Sequence, residues 1–67
     1  MRPIHERIRR LREEQNLSQL DLAEMCGLDK TTVSHWERGK SAPRWWLMPR
    51  VAAALGVTVD ELTSEAA

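Results

Sequence analysis

One cysteine, no net charge and no long apolar run remove several classes of protein at once. Cys26 has no second cysteine to pair with, so no internal disulfide holds the fold, and a reducing cytoplasm is the expected setting. No stretch approaches the ~20 consecutive apolar residues that span a bilayer, and "MRPIHERIRRL" lacks the apolar centre of a signal peptide. There is no internal repeat and no low-complexity linker. At 67 residues the chain is expected to form one domain over 1–67, near the lower limit for folding without a disulfide or a metal. Only the tail "TSEAA" reads as frayed.

Ten Lys and Arg balance ten Asp and Glu, which at first argues against a polyanionic partner. Their order argues the other way. Residues 1–12 carry five Arg against Glu6, a surplus of +4, and residues 13–29 carry three Glu and two Asp, giving −5. Residues 30–50 carry Lys30, Arg38, Lys40, Arg44 and Arg50 against Glu37, again +4, and residues 51–67 give −3. Segregated charges let a neutral chain present a basic face, although solvated charges clustered by chance would give the same counts.

Hydrophobic spacing predicts helices throughout and no strand. Ile4, Ile8 and Leu11 make a first helix over about 3–15, with Arg7, Arg9, Arg10 and Glu14 on other faces and Asn16 ending it. Arg12 lies one turn beyond Ile8 on the buried side and needs a partner. In "LSQLDLAEMCG" Ser18 caps a second helix, Asp21 sits in its first turn, Leu22, Ala23 and Cys26 face inward, and Gly27 ends it. Leu28 plugs the gap before a third helix over about 29–38, which stops at Gly39. "GKSAPRWWLM" is a loop. Pro49 opens a fourth helix with Val51, Ala52 and Leu55 inward and Gly56 at its end. "TVDEL" is a capping box, Thr58 with Glu61, that starts a short fifth helix containing Leu62.

The third helix is oddly built. With Asp29 as its cap and Val33 and Trp36 inward, its outer face carries Lys30, Thr31, Ser34, His35 and Arg38. A merely solvated face would hold Glu, Lys and Gln, which favour the helix. Short hydroxyl and β-branched side chains compete with it instead.

The residues "LSQLDLAEMCGLDKTTVSHWERGKSAP" supply an explanation. Ser-Gln, Leu-Ala, a turn Gly, Val-Ser-x-Trp-Glu-x-Gly and a downstream Pro together resemble the helix-turn-helix of the phage repressor/Cro-type family. "VAAALGVTVDEL" is similar to that family's fourth and fifth helices, so the resemblance covers roughly residues 4–62. It implies an all-α, compact five-helix, lambda-repressor-like domain whose helices 2 and 3 are the helix-turn-helix. Helix 3 matches the recognition helix that enters the major groove of double-stranded DNA. Lys30, Thr31, Ser34 and His35 then match base-contacting positions, and short donors there come close to base edges as a flexible Glu cannot. Gln19, with Ser18, matches a phosphate contact at the start of helix 2. Arg38, Lys40 and Arg44 match the segment that the family lays along the sugar-phosphate backbone. Arg12 and Glu37 match an ion pair between helices 1 and 3.

The resemblance further implies a transcriptional regulator, a repressor acting as a homodimer on a palindromic operator, with Trp46, Val59 and Leu62 as candidates for the dimer contact. It implies a cytoplasmic, nucleoid-associated protein of bacterial or phage origin, with no membrane partner and no small-molecule substrate. No enzyme and no cofactor are expected. His5, His35 and Cys26 lack metal-like spacing, and adjacent Ser34 and His35 point about 100° apart on a helix, poor geometry for a nucleophile and its base. "PRWWLMP" departs from the commoner family pattern. One tryptophan, Trp45, is expected to pack over the core and anchor the loop, leaving the other exposed. The rival reading is a protein-interaction module, such as an antitoxin, that uses the Trp45/Trp46 surface with Leu47.

Overall fold

The computed structural model describes residues 3–64. Five α-helices follow in order: α1 (Ile4–Glu14), α2 (Gln19–Cys26), α3 (Lys30–Glu37), α4 (Met48–Ala54) and α5 (Val59–Thr63). A 3-10 turn, Trp45–Leu47, leads directly into α4. There is no strand among the described residues, and none of their helices is long and apolar enough to cross a membrane. The frayed end of the tail, residues 65–67, and Arg2 of the first basic cluster lie outside the described residues.

Local sequence sets where these helices begin and end. Ser18 and Thr58 open α2 and α5 with reciprocal capping boxes, their hydroxyls accepting from the Asp21 and Glu61 amides while those carboxylates accept from the cap amides. At the end of α1, Asn16 takes the left-handed conformation, φ 58°, so that the Leu17 amide reaches back to the Arg12 carbonyl at 3.1 Å. That bond satisfies a carbonyl the helix itself leaves open. The same reversal closes α2 and α4, where the next residues, Leu28 and Val57, pack against the core. After α3 the residue in that place is Lys40, exposed to solvent.

Ile8, Leu22, Ala23, Cys26, Val33, Trp36, Val51, Ala52, Leu55 and Leu62 form one buried core to which all five helices contribute. Burial also pushes the Cys26 thiol up from its ordinary pKa, so the residue behaves as a small hydrophobe. Arg7 corrects the sequence reading. It is buried, because it stands one turn before Leu11 and so falls inside the apolar stripe of α1. Its stem lies in the protein while its Nη1 donates to the Glu61 carbonyl at 3.2 Å, putting a cation at the C-terminal half of α5.

The loop between α3 and α4 brings further corrections. Trp45 does not anchor it: Trp45 is 79% exposed and Trp46 55%. Pro43 is buried instead, and Leu47 and Met48 pack against the core. In a 3-10 turn successive side chains point about 120° apart, so with Leu47 turned inward the other two residues of the turn, Trp45 and Trp46, point away. Pro49 is the second residue of α4, since the 3-10 turn runs into the helix without a break. Leu62 is fully buried and therefore offers nothing to a dimer surface. Leu62→Ala should lower unfolding free energy by about 2–5 kcal/mol in urea titrations. Val59→Ala, three residues earlier in α5 but exposed, should change it by less than about 1 kcal/mol.

Candidate nucleic-acid interface

α3 has eight residues, too few to be stable alone, so the rest of the fold must hold it. At its start the Asp29 carboxylate accepts from the Thr32 hydroxyl at 2.7 Å and the Thr32 amide at 2.9 Å. These two bonds hold the Asp29 carboxyl below its usual pKa. Val33, Trp36 and Glu37 are buried. On the opposite side Lys30, Thr31 and Arg38 are exposed, and Ser34 and His35 are half-buried. The five outer side chains are thus on one accessible face. At its end Gly39, φ 76°, lets the Lys40 amide donate to the His35 carbonyl at 2.9 Å. A side chain at Gly39 would be strained in that conformation, although its Cβ would only come into ordinary contact with the His5 imidazole at 3.5 Å.

The firmest attachment is charged. Arg12 Nε donates to Glu37 Oε2 at 2.6 Å and Arg12 Nη2 to Oε1 at 3.0 Å, a two-pronged bond between α1 and α3. Arg12 Nη1 donates to the Leu17 carbonyl at 2.7 Å, which ties in the approach to α2. Accepting two of these bonds on its carboxylate, Glu37 raises the Arg12 pKa still further above its ordinary value. The sequence did not reveal a fourth member: Gln19 Nε2 donates to Glu37 Oε1 at 3.1 Å. Gln19 opens α2 and Glu37 closes α3, and no spacing rule relates residues that far apart in the chain.

That bond narrows what Gln19 can offer a phosphate. One amide proton goes to Glu37, leaving the other for an external acceptor. Ser18 is similarly engaged. Its Oγ accepts from the Asp21 amide at 2.9 Å and its own amide donates to the Asp21 carboxylate at 2.9 Å. The hydroxyl proton in turn faces the Asp21 carboxyl, whose pKa the Ser18 amide and hydroxyl lower.

The two basic clusters, equal in charge, differ in surroundings. Among the described residues, Arg9 and Arg10 each pair with a glutamate one turn on, Glu13 and Glu14, and Arg12 pairs with Glu37. Lys30, Arg38, Lys40, Arg44 and Arg50 form no ion pair with any described residue. Lys30, Arg38, Lys40 and Arg44 are exposed on and just after α3, so uncompensated positive charge is concentrated around the outer face of that helix. Arg44 lies over the Trp46 ring, 5.6 Å from its centroid.

Two measurements check this frame. Arg12→Met leaves the Glu37 carboxylate buried without its partner and should destabilise the fold by about 3–5 kcal/mol, with Arg12→Met/Glu37→Leu losing less than the single variant; urea titrations of both read this directly. The depressed carboxyls of Asp21 and Asp29 contribute stability that is present above the unfolded-state pKa and is lost as pH falls through the folded-state value. Unfolding midpoints should therefore drop below about pH 4, and Asp29→Asn, which retains a capping oxygen without the charge, should flatten that drop.

Comparison with known proteins agrees with this geometry. The helix-turn-helix family model matches residues 8–62. The chain is 37% identical over 61 residues to the HTH-type transcriptional activator BcrR of Enterococcus faecalis, covering 91% of this chain and 30% of that protein. It is 32% identical over 62 residues to the immunity repressor protein of Bacillus phage phi105, covering 92% of this chain and 43% of that one. It thus spans less than half the length of either relative. The P22 c2 repressor, solved in complex with a synthetic operator, matches with a TM-score of 0.89 at 28% identity over 96% of this chain and 97% of that one. The chain therefore belongs to the helix-turn-helix family, in its phage repressor/Cro-type branch.

Proposed function

We propose that this chain is the sequence-specific double-stranded DNA-binding domain of a transcriptional regulator, and that it represses by occupying an operator. The observation that carries the reading is the outer face of α3. It presents Lys30 and Thr31, exposed, and Ser34 and His35, half-buried, on a helix whose other side is buried, beside cations that pair with no carboxylate among the described residues. An α-helix fits the major groove, where short donors, acceptors and a methyl group discriminate base pairs. Lys30 donates to guanine O6 and N7, the Thr31 methyl packs on thymine, and Ser34 and His35 contact neighbouring base edges. Arg38, Lys40 and Arg44, with Ser18 and the remaining amide proton of Gln19, hold phosphates and set the register.

One recognition helix reads only a few base pairs, too few to find one site in a genome. Two copies with their α3 helices about 34 Å apart read a palindrome, and Val59 offers an apolar contact for such a pair. The relatives named above include an activator and a repressor. Repression asks least of so small a domain, because occupancy alone blocks a promoter. No membrane surface or small-molecule substrate enters this mechanism.

Selection of duplexes from a random library tests the reading and should return two related half-sites in inverted orientation; retention without sequence enrichment at low salt would refute it. In anisotropy titrations Lys30→Ala should relax preference at one base pair at a loss of about 1–3 kcal/mol. Lys40→Ala should weaken all duplexes alike and reduce the salt slope by about 1. Equal changes in specificity would contradict these roles.

A further inference from the structure

Trp45 and Trp46 are the largest exposed apolar side chains among the described residues. Their rings meet edge to face, centroids 5.6 Å apart at 86°. With Thr32 and Trp36 of α3, and with Ser41 and Arg44, they line a groove of about 450 Å³. Its lining holds one cation and two hydroxyls but no carboxylate. Indeed the chain has no Asp or Glu from residue 38 through residue 59, against Arg38, Lys40, Arg44 and Arg50. An occupant of this groove is therefore negatively charged and has an apolar side.

Resting on the DNA reading above, we propose that the groove clasps the sugar-phosphate strand bordering the major groove, and that Trp45 and Trp46 wedge into the minor groove beyond it. A helix with its side chains is about 10–12 Å across and the major groove about 12 Å wide. A seated α3 fills that space, so whatever flanks it meets the bordering strand. Arg44 and Ser41 face the phosphates, and the tryptophan rings pack on deoxyribose and a neighbouring base step. Arg44, already stacked on Trp46, is held ready at the strand. A second copy of the chain is the poorer occupant: at a two-fold contact the patch meets itself, and Arg44 would face its own copy. The wedge adds a preference for easily unstacked pyrimidine–purine steps outside the footprint of α3, without a hydrogen bond to any base.

Tryptophan fluorescence tests this on the full chain, using a duplex retained in the library selection. Trp36 is 2% exposed, so acrylamide quenching reads Trp45 and Trp46. Saturating duplex should reduce quenching to the level of a buried ring. Trp45→Ala/Trp46→Ala should keep the melting temperature, lose affinity by about tenfold or more, and retain the wild-type salt slope because no cation is removed. If the duplex binds and both rings stay quenchable, the wedge is wrong and the regulator reading stands. If the rings become protected without DNA as protein concentration rises, and the double variant abolishes a dimer seen by sedimentation, the patch joins two copies and the wedge is wrong. If no duplex is retained by wild-type protein, both readings fall.

Discussion

The pairing of Arg12 with Glu37 is the constraint on which the orientation of α3 depends. An eight-residue helix whose outer side chains favour contact over helix formation cannot support itself. Val33 and Trp36 press it onto the core, but apolar contact is non-directional and tolerates rotation. The two-pronged bond to Glu37 is directional, and it recruits Leu17 and Gln19 to the same point. Helices α1, α2 and α3 are thereby fixed at one place, and the reading face is presented at a set angle.

The charge distribution follows from how the carboxylates are used. Asp21, Asp29 and Glu61 cap helices. Glu13, Glu14 and Glu37 neutralise arginines of α1. Apart from Glu37, which pairs across to α1, each of these positions is tied to local helix architecture, which keeps negative charge away from the segment after α3. A chain with zero net charge thus leaves its uncompensated cations where a polyanion would lie, and long-range attraction then acts on the correct face. Segregation gives what an excess of lysine would give, without the self-repulsion of a highly charged domain.

Much of this was legible in the residues. Helix ends depend on caps and left-handed turn residues a few positions apart, so Ser18, Thr58, Asn16 and Gly39 announced themselves locally. The inward placement of Val33, Trp36, Leu22 and Leu55 followed from periodicity. The loop after α3 was harder. Adjacent tryptophans suggest a buried anchor by their size alone, yet the start of a 3-10 turn and the burial of Pro43 left both outside. Arg7 was misplaced because its charge concealed a position within the apolar stripe.

The sequence by itself determined the number of helices, their caps, the core and the composition of one outward face, because each arises from contacts within about one helical turn or from the periodicity of burial. Only the tertiary structure decided which basic cluster is free, since both sum to the same charge and ion pairing depends on which side chains meet across helices. The same holds for the bond from Gln19 to Glu37, the burial of Leu62 and the groove beside α3. Each joins residues far apart along the chain, where no local rule reaches and packing in three dimensions chooses the partner.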